Sequence, residues 1–230
     1  MSTPGLSVVV PAYNEAVHLE YVIQTMERVF NESGIAYERC IVNNGSTDNT
    51  GDIIKKLQHN PRITSVTFRE NQQYGGGIQA GLAHVRGEVI GWAHADGQTD
   101  PADIIRLYRK MRAEGHDLGK AVRTVRHESK WRLIQSRIYY TIFQLLFKTP
   151  YRDINGTPRL LTRRGAGILN LQSRDWFLEP EFVIKSLRHK LPISEVDVVW
   201  ESRRSGFTRA RVWTGLEFLK NMLLYRFGLK

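Results

Sequence analysis

His94-Ala95-Asp96-Gly97-Gln98 sets a carboxylate and a carboxamide two positions apart, just past a short apolar run. Two oxygens so spaced can ligate one hard divalent ion, Mg²⁺ or Mn²⁺, with phosphate oxygens filling further positions. The same residues also fit a solvated turn in which Asp96 caps the helix begun by Pro101. Pro11-Ala12-Tyr13-Asn14-Glu15 offers a ring for stacking and a carboxylate that can accept from a base or ribose. Equally, it fits a helix start capped by Asn14. Asn43 to Asp48 reads as a polar pocket wall, or as an Asx turn with Gly45 at positive φ. Glu179 and Glu181 flank Pro180 and are candidate general bases, or the first turn of a capped helix. Gly75-Gly76-Gly77 lacks the G-x-G-x-x-G spacing and reads as a tight turn that admits another backbone.

The elements that carry these residues alternate. Leu6–Val10, Glu38–Val42, Ser65–Phe68 and Glu88–Ala93 are short apolar runs that read as strands. Between them, Glu15–Phe30 and Thr50–Leu57 have helical spacing, and the glycine turn opens a third helix through His84. Strands alternating with helices make an α/β fold with a mostly parallel central sheet flanked by helices. In such a sheet ligands bind beyond the carboxyl ends of the strands, where the polar turns fall.

The second half is less regular. Lys130–Phe147 and Arg211–Lys230 read as basic amphipathic helices with Trp131, Tyr139 and Trp213 among their apolar residues. They suit a membrane surface or packing on the domain or another subunit. The longest uncharged apolar stretch there, Ile138–Phe147, is too short to cross a bilayer, which takes about 18–20 residues.

Composition bounds the rest. The 230 residues suit a single domain, 1–230, with ordinary globular makeup at 41% hydrophobic and 24% charged. The net charge of +10 is uneven: residues 1–119 hold 11 basic and 14 acidic side chains, residues 120–230 hold 22 and 9. The basic half calls for an anionic partner. A nucleic-acid module is disfavoured, since the apolar residues follow helical spacing and the strand-end turns would go unused. Cys40, the only cysteine, excludes an internal disulfide. No secretory signal and no carboxyl-terminal membrane pair is expected.

In order along the chain, VVVPAYNE (8–15), IVNNGSTDNT (41–50), NQQYGGGIQAGLAHVRGEVIGWAHADGQTDP (71–101), DINGTPRLLTR (153–163) and RRSGFTR (203–209) resemble family 2 glycosyltransferases of the GT-A fold. The similarity is greatest to dolichyl- and polyprenyl-phosphate sugar synthases. The resemblance implies that Pro11, Tyr13, Glu15, Asn44, Ala95 and Asp96 border the nucleotide-sugar, and that Asp96 and Gln98 hold Mg²⁺ or Mn²⁺. Asp96, Arg203 and Glu181 are the candidate catalytic residues; Arg123, Arg159, Arg203 and Arg209 are the candidate phosphate-binding residues of the acceptor side. Residues 1–119 would then form the nucleotide-binding half, and 120–230 the acceptor and membrane-surface half.

Three positions depart from the family pattern: His94 stands at a usual aspartate, Asn43-Asn44 at an aspartate pair, and Thr208-Arg209 at Ser-Lys. The expected activity is metal-dependent sugar transfer to polyprenyl or dolichyl phosphate, with inversion. The enzyme would sit peripherally on the cytoplasmic face of a membrane, alone or with a membrane-protein partner. A saccharide-hydroxyl acceptor and a catalytically impaired subunit are the alternatives.

Overall fold

The computed structural model describes residues 3–126, 130–201 and 212–228. In chain order its elements are β1 (Leu6–Ala12), α1 (Leu19–Ser33), β2 (Tyr37–Asn44), α2 (Thr50–Leu57), β3 (Ile63–Phe68), α3 (Gln73–Leu82), β4 (Val89–Trp92), α4 (Ala102–Glu114), β5 (Leu118–Arg126), α5 (Lys130–Phe147), β6 (Arg159–Thr162), α6 (Arg163–Leu169), α7 (Leu178–Arg188), β7 (Ile193–Trp200) and α8 (Val212–Arg226). One seven-stranded sheet, ordered β3-β2-β1-β4-β6-β5-β7, runs through both halves of the chain. Only β6 is antiparallel to its neighbours; the other pairings are parallel. Strands covered on both faces are buried along nearly their whole length, which is why β1 and β2 show no alternation of burial, even where β2 carries Glu38 and Arg39. One face packs against Leu19, Ile23 and Phe30 of α1, Ile54 of α2 and Leu107 of α4. The other packs against Ile78 of α3, Phe143 of α5, Phe182 of α7, and Met222 and Tyr225 of α8.

The chain adds β2 and β3 on one side of β1, then crosses to place β4 on the other. The strand order therefore reverses between β1 and β4, and the crevice beyond their carboxyl ends is where this topology binds ligands. Tyr13–Glu15 follow β1 and His94–Asp96 follow β4, so both motifs reach that crevice.

Two local expectations are corrected. Asn14 does not cap α1: it has φ +55°, and the helix starts only after His18. The intervening residues are held by the loop after β2 instead. The three glycines form no turn but lie inside α3. The close backbone approach is present: Gly76 N–H donates to Arg174 O at 2.8 Å, and a Cβ on Gly75 would stand 2.2 Å from Ser173 O.

The two basic helices pack on each other and on the domain. Tyr139 of α5 meets Phe218 of α8 edge-on at 5.3 Å, and Phe143, Met222 and Tyr225 are buried. Each helix keeps an uncovered row. Trp131, Ile134, Ile138 and Leu145 on α5 are exposed, as are Leu219 and Leu223 on α8 and Phe227 beyond it. Among the described residues no helix is long and apolar enough to cross a membrane.

Candidate active site

The loops after β1 and β2 are knitted into one wall. Asn14 N–H donates to Ser46 Oγ at 3.1 Å, Thr47 N–H to Asn14 Oδ1 at 2.7 Å, and Glu15 N–H to Thr50 Oγ1 at 2.9 Å. Asp48 accepts from Thr50 and from Ala16 N–H. Burial opposes its ionisation, but these hydrogen bonds outweigh it and hold the carboxyl below its ordinary value. The Asx turn exists: Ser46 N–H donates to Asn43 Oδ1, and Gly45 has φ +77°. Pro11, Tyr13 and Glu15 are half-buried along this wall.

Asn44 shows why an amide stands at its position. Its Oδ1 accepts from Gln72 N–H at 2.9 Å, while its Nδ2 donates to Gln73 O at 2.8 Å. A carboxylate could make only the first of these bonds. The side chain thus clamps the start of α3, and both ends of its amide are engaged.

Beyond β4, Ala95 is buried while His94, Asp96 and Gln98 are half-buried. Asp96 Oδ1 accepts from Gln98 N–H at 3.1 Å. Gln98 Nε2 donates to Glu201 O at 2.8 Å, and Glu201 N–H donates to Gln98 O, so the end of β7 is tied to this loop. The donor set that remains is the second carboxylate oxygen and the Gln98 amide oxygen. Two hard oxygens suit a divalent ion that takes its other ligands from a diphosphate and water. Among the described residues no three His, Cys, Asp or Glu side chains could hold a metal by themselves. The residues therefore fit a metal that takes its remaining ligands from a bound molecule and water.

Trp200, at the end of β7, stands between this loop and the basic half. It meets His94 edge-on at 5.7 Å, and Arg123 lies over its ring at 5.1 Å. Arg123 grips Asp153 with both guanidinium arms at 2.7 and 2.6 Å. Burial opposes a charge on Asp153, but the arginine overcomes it and holds the carboxyl far below its ordinary value. Next to this pair opens a cavity of about 290 Å³, lined by Arg137, Tyr139, Arg152 and Asn155 with Arg123. Arg123 is paired with Asp153, and Arg152 with Asp197 at 2.8 Å and Glu195 at 3.6 Å, so Arg137 is the lining arginine with no carboxylate partner among the described residues. Tyr139 Oη and Asn155 Oδ1 are buried on this cavity with no hydrogen-bond partner among the described residues. Tyr139 Oη can donate to an anion and Arg137 can pair with one, whereas the Asn155 oxygen, an acceptor, calls for a donor on the occupant.

Two expected site residues have other tasks. Arg159 is wholly buried, pairs with Glu179, and lies over the Phe182 ring at 4.5 Å. It braces β6 against α7 from within the core. Glu181 is also wholly buried; it accepts from Gln172 and Ser173 N–H and pairs with Lys185 at 2.7 Å. These partners hold its carboxyl below its ordinary value against the pull of burial, so it knits the 172–173 loop to α7 and is no free base. Arg203 and Arg209 lie outside the described residues. Sequence reading gave no role to Tyr74, Trp176, Trp200 or Asp153, although Tyr74 and Asp153 lie within motifs 71–101 and 153–163.

The Glycosyl transferase family 2 model matches residues 7–173. The putative glycosyltransferase CsbB of Bacillus subtilis is 30% identical over 71% of the chain and half its own length. The dolichyl-phosphate beta-glucosyltransferase of Saccharomyces cerevisiae is 26% identical over 96% of the chain and 74% of its own. The undecaprenyl-phosphate 4-deoxy-4-formamido-L-arabinose transferase of Pseudomonas aeruginosa is 32% identical over 58% of the chain and 40% of its own length. This chain thus spans half or less of two of these relatives. Among solved structures, glucosyl-3-phosphoglycerate synthase of Mycobacterium tuberculosis, held with Mn²⁺, UDP-glucose and phosphoglyceric acid, superposes with a TM-score of 0.74 at 19% identity, covering 98% of this chain and 80% of that one. A mannosyltransferase of Pyrobaculum calidifontis with GDP-mannose and Mn²⁺ gives 0.62 at 16%, covering 99% and 64%. These neighbours share the GT-A fold.

Proposed function

This chain belongs to glycosyltransferase family 2, and from that premise we propose that it transfers a sugar from a nucleotide-sugar to a polyprenyl phosphate at a membrane surface, with inversion. The observation that carries the reading is the cationic cavity beside Trp200, separate from the loops of the β1/β4 crevice. The crevice suits the nucleotide-sugar, with Tyr13, Glu15 and Asp48 on its wall. The cavity suits a phosphate, with Arg137 as its cation and Tyr139 Oη as a hydrogen-bond donor, while Arg152 on its rim is held by Asp197 and Glu195. The names of the yeast and Pseudomonas relatives, both transferases to a polyprenyl phosphate, support the same acceptor class.

The transfer is one displacement. An acceptor phosphate oxygen bonds to the anomeric carbon as the bond from that carbon to the nucleoside diphosphate breaks, which inverts the centre. A phosphate monoester is already anionic at neutral pH, so no general base is required. That agrees with Glu179 and Glu181, whose carboxylates are both engaged inside the protein. A saccharide hydroxyl would need a base that this pair cannot supply. Asp96 and Gln98 would hold a divalent cation, Mg²⁺ or Mn²⁺, which neutralises charge on the leaving diphosphate.

The exposed rows of α5 and α8, with Arg137 beside them, support a peripheral position on an anionic bilayer that holds the acceptor's lipid tail. Arg137→Ala is the test. Its expected effect is at least a tenfold rise in KM for polyprenyl phosphate with the KM for the nucleotide-sugar unchanged. An unchanged acceptor KM contradicts the assignment of the cavity.

A further inference from the structure

Beneath the 152–155 segment that lines the cavity lies a lysine with no exposed surface. Lys120 of β5 is wholly buried, and its cross-strand neighbours are Glu195 on β7 and Arg159 on β6. Leu118 and Val122, which share its side of β5, are buried and apolar, so an ammonium stands where the strand otherwise buries hydrocarbon. It has three protons to donate and three partners. Nζ donates to Arg152 O and to Asp153 O, the latter at 3.2 Å, and meets Glu195 Oε1 at 2.7 Å. Glu195 Oε1 also accepts from Arg152 N–H at 3.1 Å. Both members of one ion pair thus hold the same short piece of backbone.

That backbone follows an unusual path. Asp153 has φ +41°, in the left-handed region that favours glycine, and Gly156 passes β5 so closely that a Cβ would collide with Ala121 O. The turn points two carbonyls at Lys120. It leaves the Asp153 carboxylate to accept from Arg123 N–H at 2.9 Å and to grip the Arg123 guanidinium. Arg123, so held, lies over the Trp200 ring and lines the cavity.

We propose that Lys120 is the positioning residue of the acceptor-phosphate cavity: its ammonium fixes the turn at Arg152 and Asp153 and, through Asp153, the placement of Arg123. The inference rests on the reading of that cavity as the site of the lipid phosphate. It makes acceptor binding depend on pH. Burial pushes the ammonium down to about 8, against the pull of Glu195. The other charges around it are Glu195 of β7, Arg159 of β6 with its partner Glu179 of α7, and Arg152 and Asp153 of the turn. Carboxylates and guanidiniums ordinarily titrate far from 8 on either side, so among these groups the lysine is the one that changes charge there. Below that pH the ammonium is charged and holds both carbonyls; above it the proton is lost and the hold weakens.

The test is calorimetric binding of farnesyl phosphate to the full chain from pH 7 to pH 9, a range above the second ionisation of the ligand's phosphate. The expected Kd rises at least fivefold across that range. Glu195→Gln keeps the lysine but removes the charge that raises its value, so the midpoint of the rise is expected to move to lower pH. Lys120→Met with Glu195→Gln is expected to bind at least tenfold more weakly at pH 7, with a flat profile. A flat wild-type profile, or wild-type affinity in the double variant, overturns the proposal; the cavity reading then stands if Arg137→Ala still weakens binding. Farnesyl phosphate binding that Arg137→Ala does not weaken, or no binding at all, overturns both.

Discussion

Among the described residues, Asp96 accepts through one carboxylate oxygen, and its second oxygen has no hydrogen bond. Asp96→Asn keeps the turn with Gln98 but removes the negative ligand, so turnover should fall by about 10²–10³-fold. Nucleotide release measured at saturating metal checks this, and near-wild-type turnover would remove Asp96 from the chemistry. Arg159 behaves differently. Arg159→Met strands Glu179 as an uncompensated buried charge, a loss of about 3–5 kcal/mol, whereas Arg159→Met with Glu179→Gln should recover part of it. Urea unfolding of the single and double variants measures the difference. Asp153 makes stability depend on acid. Its folded pKa lies below its unfolded value of about 3.9, so its contribution is complete above that pH and is lost as pH falls toward the folded value. Thermal unfolding from pH 5 downward should show the loss, and Asp153→Asn should flatten that part of the profile while lowering stability at neutral pH.

At the scale of elements, α3 and the 173–175 loop meet backbone to backbone at Gly75. A methyl group there must push rigid atoms apart, so Gly75→Ala should cost about 1–3 kcal/mol, read by chemical unfolding. The first four strands and three helices were legible because an α/β unit repeats strong, local signals: β-branched runs, helical spacing and polar strand-end turns. Boundaries shifted where tertiary bonds intervened, as when the loop after β2 drew residues 14–16 out of α1. The second half was harder to read. β6 is four residues long and antiparallel, and nothing local marks it. The arginines misled for a related reason: sequence shows a guanidinium but not the carboxylate that meets it, so Arg159, paired with Glu179, read as a phosphate ligand. The HADGQ loop was legible from residue types alone, whereas its aromatic supports, Tyr74 stacked on His94, Trp176 stacked on Tyr74 and Trp200 edge-on to His94, come from three distant segments.

For the whole molecule, the excess of basic residues after 119 and the uncovered rows of α5 and α8 belong to one surface argument. Apolar residues supply insertion, and nearby cations supply attraction to anionic lipid. Ile138→Asp and Leu145→Asp should reduce sedimentation with phosphatidylglycerol vesicles at least fivefold without lowering the melting temperature, since both side chains are exposed at 56% and 75%. Unchanged sedimentation would mean that these rows meet something other than lipid. The central claim is transfer to a lipid phosphate. The most direct measurement is nucleotide release by the purified chain from a panel of UDP-, GDP- and dTDP-sugars, with Mg²⁺ or Mn²⁺, with and without a short polyprenyl phosphate. The account predicts release from one nucleotide-sugar that requires both the metal and the lipid phosphate and is lost in Asp96→Asn. Transfer to a soluble saccharide with none to polyprenyl phosphate, or nucleotide binding without release from any sugar donor, would contradict it.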